Sequence, residues 1–138
     1  MKRALTAAAV AIGLVALAVP AGAQSTKFVY FRIPSKNIAC AYTKGFGPTS
    51  LRCDIYSGLK PKRKCTEGDW GAIYMTLKGK ARPICISDSV YNNKARVLQY
   101  GQTWHYGGFT CKSKRIGLTC SNRYRHGFFL SRQSYRVH

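Results

Sequence analysis

The sequence predicts a small all-β domain, a sandwich or a barrel, that is held by three disulfide bonds. Three observations predict it. Short runs of β-branched and aromatic residues recur along the 138-residue chain, with Gly- and Pro-containing turns between them. The six cysteines are an even number, and no long run has the 3.6-residue periodicity of a helix. We expect at most one short helix, in residues 57–68.

The first 23 residues have the pattern of a secretory signal peptide. A basic start is followed by an apolar stretch, residues 7–19, that is too short to span a bilayer comfortably. The small residues Ala21 and Ala23 then form a cleavage site. We predict cleavage after Ala23, which leaves one domain, residues 24–138, without a transmembrane segment. The expected location is secreted, periplasmic or on the exterior of the cell envelope.

The predicted strands are separated by recognisable turns. Residues 34–37 (Pro-Ser-Lys-Asn) and 45–48 (Gly-Phe-Gly-Pro) have turn composition, and Gly101 and the pair at 107–108 interrupt later runs. The predicted strands cover residues 27–32, 38–42, 51–56, 70–77, 95–100, 109–111, 118–120 and 128–131.

The positions of the cysteines favour pairing between neighbours in the sequence. Pairing Cys40 with Cys53 would form a hairpin in which Tyr42 lies opposite Leu51, so that apolar residues share a face. A second hairpin of the same kind would place Phe109 opposite an asparagine. The favoured disulfide pairs are Cys40 with Cys53, Cys65 with Cys85, and Cys111 with Cys120. The first pair also places Ile38 opposite Ile55, and the third places Phe109 opposite Asn122. Other connectivities remain open.

A structural metal is not expected at these cysteines. The sequence contains no C-x-x-C motif, and the three histidines do not fall at the spacing of zinc ligands. We therefore predict no metal and no cofactor.

Positive charge is the feature that bears most on function. The net charge is +19, and 21 of the 23 basic residues remain after the predicted leader, against four acidic ones. Basic clusters alternate with aromatic residues, a combination that binds phosphates and stacks on rings. We predict a non-enzymatic domain that binds an anionic partner non-specifically: an envelope polymer, an anionic lipid surface or a nucleic acid. The predicted anion-binding residues are Lys112, Lys114, Arg115, Arg123 and Arg125.

Two alternatives remain open. A secreted ribonuclease-like hydrolase would use His105 and His126 as its acid and base, and a cationic inhibitor or antimicrobial protein would use the disulfide framework as a scaffold. The competing interpretation of His126 is structural: it precedes a strand with Phe128 and Leu130 inward and Phe129 and Ser131 outward. No nucleophile elbow is present, and four carboxylates are few for a glycosidase.

Several motifs resemble one known family. They are Pro34-Ser35-x-Asn37-Ile38-x-Cys40, Leu51-Arg52-Cys53-Asp54-Ile55, Gly58-Leu59, Asp69-Trp70-Gly71, Val97-Leu98-x-Tyr100-Gly101, Gly107-Gly108-Phe109-x-Cys111, Gly117-Leu118-Thr119-Cys120-x-Asn122-Arg123 and His126-Gly127-Phe128-Phe129-Leu130-Ser131-Arg132. Across residues 28–138 the chain resembles the DUF6636 family of small exported bacterial proteins, a domain of unknown function. The resemblance implies a compartment and a fold, and it implies no chemistry.

The chain departs from this family pattern at three positions where glycine is usual. Lys36, Ser87 and Arg125 occupy them, and each removes a residue that tolerates positive φ. At the first of these positions we expect Asn37 to adopt the left-handed conformation instead.

Overall fold

The structure is a computed structural model that describes residues 10, 13–18 and 21–138. The predicted signal peptide lies partly outside these residues, including its basic start and much of its apolar stretch. Within the described part the regular structure consists of strands, which confirms the predicted all-β class. They are β1 Lys27–Arg32, β2 Ile38–Lys44, β3 Ser50–Ile55, β4 Asp69–Thr76, β5 Arg82–Ile86, β6 Arg96–Val97, β7 Thr103–Tyr106, β8 Phe109–Lys114, β9 Gly117–Asn122, β10 Gly127–Leu130 and β11 Tyr135–Val137.

The strands form two sheets. The first has six strands in the order β5-β4-β3-β2-β1-β6, and the second has five in the order β11-β10-β9-β8-β7. Neighbouring strands are antiparallel except for β1 and β6, which are parallel. The buried side chains of both sheets belong to a single core cluster, so the arrangement is a two-layer sandwich.

The hairpin registers follow the prediction. Tyr42 lies opposite Leu51 and Ile38 opposite Ile55 in the β2–β3 pair. All three favoured disulfides form, as Cys40–Cys53, Cys65–Cys85 and Cys111–Cys120, and Phe109 lies opposite Asn122 in the β8–β9 pair.

Aromatic residues join the two sheets in the core. Phe31 of β1 packs on Trp104 of β7, with ring centroids 4.7 Å apart. Tyr42 of β2 meets Tyr106 and Phe109 edge-on, at 4.9 and 6.1 Å. Such tilted and edge-to-face pairs are favoured by the ring quadrupoles. They align the inward faces, whose residues alternate with outward ones along each strand.

A long crossover covers the outer face of the six-stranded sheet. Because β5 and β6 are at opposite edges of that sheet, the segment between them, residues 87–95, has to pass across it; we call this segment the strap. Its Val90 N–H donates to Asp54 of the central strand β3 at 3.0 Å. The strands next to Asp54 present Ala39 and Ala72 in register with it. Both alanines are buried, and their small side chains let the strap lie close to the sheet.

Residues 57–68, where we expected at most one short helix, contain none; they form a turn, bends and irregular backbone. Three local expectations were wrong. Only Arg96 and Val97 of the expected strand at 95–100 form a strand. Ala95 belongs to the strap, and the chain turns after Leu98, where the Gln102 N–H donates to the Gln99 carbonyl at 3.0 Å. Ser131 is buried rather than outward, and its hydroxyl closes a turn by donating to the Ser134 carbonyl at 3.0 Å.

The third concerns the turn at residues 34–37. Lys36 itself has a φ of 60°, so Asn37 does not take over the left-handed conformation. Arg125 has a φ of 67°, and these are the two non-glycine residues with positive φ in the described part of the chain. Two of the three positions singled out in the sequence, Lys36 and Arg125, are therefore sites of left-handed backbone.

Candidate functional site

The charges of the molecule are divided between its two layers. The acidic residues all lie in or beside the six-stranded sheet: Asp54, Glu67, Asp69 and Asp88. By contrast, residues 99–138, which form the five-stranded sheet and its turns, contain seven Lys or Arg residues and neither Asp nor Glu. This layer therefore carries unneutralised positive charge.

Two of the acidic residues are paired with one arginine. The Arg52 guanidinium lies 2.7 Å from Asp54 and 2.8 Å from Asp88. Burial opposes the charge of Arg52, but its hydrogen bonds to the two carboxylates outweigh that cost and raise its pKa. These two carboxylates therefore neutralise Arg52 in their own layer and do not reduce the positive charge of the five-stranded sheet.

Strand alternation places the predicted lysines on the outward side of the five-stranded sheet. In β8 the buried Cys111 and Ser113 alternate with the exposed Lys112 and Lys114. On the same outward side, Arg136 of β11 lies over the ring of Phe129, 4.7 Å from its centroid. We define the basic face as Lys112, Lys114 and Arg136 together with Arg115 of the adjoining turn.

Arg115 is positioned by an aromatic ring. It occupies the two-residue turn between β8 and β9, and its guanidinium lies 5.0 Å from the ring centroid of Tyr100. A cation over an aromatic ring gains roughly 0.5–1 kcal/mol at an exposed site. The contact orients the charge and leaves Arg115 exposed.

Arg123 and Arg125 belong to a different turn, between β9 and β10. The buried Asn122 organises this turn: its side-chain oxygen accepts the backbone N–H groups of Tyr124 and His126, at 3.0 and 3.1 Å. Its amide group donates to the carbonyls of Thr76 and Gly79 in the other layer. The turn is thereby fixed to the sandwich, with both arginines exposed.

The structure does not bring the five predicted cations into one pocket. Lys114 and Arg115 lie where β9 begins, whereas Arg123 and Arg125 lie beyond its end. The six residues of β9 separate the two groups, which corresponds to about 17 Å at roughly 3.4 Å per residue. The cations form a line along the sheet, with Lys112 between the ends.

The two candidate catalytic histidines also lie apart. His105 is exposed on β7, with its Nδ1 3.0 Å from the Thr110 hydroxyl, and His126 is half-buried just before β10. Strands β8 and β9 lie between β7 and β10, so the two backbones are about 14 Å apart at roughly 4.8 Å per strand. No cavity found in the described part of the chain is lined by both histidines.

The largest concave surface lies on the opposite layer, and the sequence did not predict it. A groove of about 1020 Å³ runs over the outer face of the six-stranded sheet, between the strap and the β2–β3 turn. We call it the aromatic groove, after its lining residues Phe28, Tyr30, Phe46, Tyr74 and Tyr91. A sequence signal existed: Phe28 and Tyr30 occupy the outward positions of β1, where polar residues are usual.

The described residues form no cluster of three or more His, Cys, Asp or Glu side chains that could hold a metal ion. They also include no helix long and apolar enough to cross a membrane.

Comparison with known proteins gives one match. A protein-family model described as a family of unknown function, DUF6636, matches residues 11–137. No curated protein and no solved structure matches the chain.

Proposed function

This chain belongs to the DUF6636 family, whose function is unknown, so we propose a function from the surface of the chain itself. We propose that it binds an extended anionic polymer along the five-stranded sheet, without enzymatic chemistry. The observation that carries this proposal is the line of exposed cations on a layer without Asp or Glu. A small anion would need converging donors. A polymer is suited to charges spread over about 17 Å, the span between the two turns.

The electrostatics support the same partner. Exposed lysines and arginines attract polyanions largely through the release of bound counterions, a mechanism that needs no pocket. Arg115, Arg136 and their aromatic neighbours add ring faces on which sugars or bases can stack. The residues that contact the polymer are Lys112, Lys114, Arg115, Arg123, Arg125 and Arg136.

The compartment agrees with such a partner. Three disulfides indicate a protein that folds under oxidising conditions. We propose that the protein works outside the cytoplasm, either secreted or at the cell-envelope exterior including the periplasm, and that the partner is an anionic polymer of the envelope.

Two variants of equal net charge test the proposal. One carries Lys112→Ser, Lys114→Ser and Arg115→Ser, and the control carries Lys60→Ser, Lys62→Ser and Lys64→Ser in the loop after β3. Affinity for heparin and for double-stranded DNA is measured between about 50 and 200 mM salt, where the affinity of a protein with 6–10 phosphate contacts falls by about 10³–10⁵. We expect the first variant to bind DNA more weakly and to reduce its logarithmic salt slope by about 2 to 3, while the control stays near wild type.

Other outcomes overturn the proposal. Equal losses in both variants would mean that net charge alone acts. Binding only to anionic phospholipid vesicles, and to neither polymer, would identify a membrane surface as the partner. Cleavage of RNA that disappears in His126→Ala would establish the ribonuclease-like hydrolase instead.

A further inference from the structure

Two phenyl rings of the aromatic groove are largely exposed to solvent. Phe28 and Phe46 have 51 % and 79 % of their surface exposed, although large apolar side chains gain free energy when buried. Phe28 stacks on Tyr30, with ring centroids 6.2 Å apart and planes 15° apart. Tyr74 of β4 lines the same groove.

The local sequence places Phe46 at the mouth of the groove. It is the tip of the β2–β3 turn, between Gly45 and Gly47, whose φ angles are 87° and 70°. These left-handed conformations are accessible to glycine with little strain. The turn therefore holds a phenyl ring over the groove, and the ring has no covering partner in the fold.

Hydrogen-bonding side chains also line the groove. They belong to the strap and to outward positions of the sheet: Thr43, Ser50, Ser89, Asn92 and Asn93. Hydroxyl and amide side chains both donate and accept hydrogen bonds. The groove thus combines flat apolar faces with neutral polar groups.

The charge of the groove differs from that of the protein as a whole. Among its lining residues only Arg52 and Asp88 are charged, and they form an ion pair at 2.8 Å. The second partner of Arg52, the buried Asp54, accepts two of its N–H groups. In a chain of net charge +19, the charges of the lining residues therefore cancel. Two other arginines lie beside the groove, Arg82 over the ring of Tyr74 at 5.2 Å and Arg32 over the ring of Tyr91 at 5.9 Å.

We propose that the aromatic groove binds a neutral saccharide chain. A sugar ring has an apolar C–H face that packs against aromatic rings and hydroxyls that need hydrogen-bond partners. The volume, about 1020 Å³, lies at the upper end of the range of about 300–1,000 Å³ for ligand pockets, so several sugar units fit better than one. This site lies on the layer opposite the basic face, and it does not depend on polyanion binding.

A glycan array at high salt tests this proposal apart from the first. Neutral and acidic oligosaccharides are presented in about 1 M salt, where exposed charges are screened beyond about 3 Å. The proteins are the wild type, a groove variant with Phe28→Ser and Phe46→Ser, and a control with Ile116→Ser. Ile116 is equally apolar and 68 % exposed, but it lies in the β8–β9 turn of the other layer.

We expect the wild type to retain at least one neutral oligosaccharide, and the control to retain it equally. The groove variant should bind it at least about tenfold more weakly, as expected when stacked rings are removed. The variant carrying Lys112→Ser, Lys114→Ser and Arg115→Ser should bind as the wild type does. Retention of acidic glycans alone, no retention of any glycan, or unchanged binding by the groove variant would each overturn the proposal.

Discussion

The carboxylate of Asp54 accepts the backbone N–H of Val90 at 3.0 Å, and this bond attaches the strap to the central strand of the sheet beneath it. Asp54 is fully buried and also accepts two N–H groups of Arg52, at 2.7 and 3.1 Å. Arg52 in turn donates to the backbone carbonyl of Asp88 at 3.0 Å. One buried carboxylate therefore satisfies donors from the sheet and from the strap.

Replacing Asp54 should destabilise the protein strongly. Asp54→Ala leaves the Val90 N–H and one side of the Arg52 guanidinium without a partner, which costs about 3–5 kcal/mol when a buried pair is broken. Asp88→Asn is the matched control, because that carboxylate is 74 % exposed and its pair should contribute under about 1 kcal/mol. Denaturant unfolding measures both. Equal losses in the two variants would show that Asp54 does not anchor the strap.

Glycine should stabilise the two left-handed positions. Lys36 and Arg125 have positive φ, a conformation that costs a side-chain-bearing residue roughly 1–2 kcal/mol. We expect Lys36→Gly and Arg125→Gly each to be more stable than the matching alanine variants by about 1 kcal/mol. Alanine removes the same charge but keeps Cβ. Ser87→Gly, at a position without positive φ, should give no gain over Ser87→Ala. Thermal unfolding measures the stability of each variant. Alanine variants as stable as the glycine variants would contradict the expectation.

The three disulfides should differ in their rates of reduction. Cys40–Cys53 and Cys111–Cys120 are completely buried, whereas Cys85 is exposed and Cys65 half-buried. Because a thiolate has to reach a sulfur to attack it, a mild reductant should open the Cys65–Cys85 bond first. Alkylation followed by peptide mass spectrometry identifies the freed cysteines. In denaturant the three disulfides should be reduced at similar rates. Early labelling of Cys111 in the native protein would contradict the expected order of reduction.

Tyr42 should make the protein sensitive to alkaline pH. Burial, followed by the neighbouring Tyr106, raises the pKa of Tyr42 above its ordinary value of 10.0. The unfolded chain then loses this proton at a lower pH than the folded one, so the stabilisation is complete below about pH 10 and is lost above it. Tyr42→Phe keeps the ring in the core, and its free energy of unfolding should fall less steeply above pH 10 than that of the wild type. Identical slopes in denaturation experiments would refute this.

The sequence predicted the hairpins because cysteines constrain strand register. Once Cys40 and Cys53 lie opposite each other, two-residue alternation determines which neighbours share the core face, so that Tyr42 meets Leu51. The same reasoning applied to Cys111 and Cys120. The periodicity of apolar residues was needed only to identify which segments are strands.

The strap and the groove could not be predicted in the same way. An irregular segment such as residues 87–95 has no periodicity that would indicate its path. The available signal was indirect: the apolar Ala39 and Ala72 occupy outward positions of their strands, and apolar residues on both faces indicate a sheet that is covered on both sides.

The cations proposed to bind the polymer were predicted by type, and their arrangement was not. Arg115 and Arg123 are close in the sequence, but β9 runs between their turns and separates the two groups. Distances of this kind depend on strand length and direction, which composition does not contain. For His105 and His126 the order of the strands in the sheet had the same effect.

The disulfide connectivity also affects how the chain can be oxidised as it is made. Each cysteine is joined to the next one in the sequence, with separations of 13, 20 and 9 residues. A chain that emerges from its N-terminus into an oxidising compartment meets the correct partner for every thiol before any wrong one appears. We therefore expect vectorial oxidation to reach the native set of disulfides without an isomerase, because no disulfide joins the two layers.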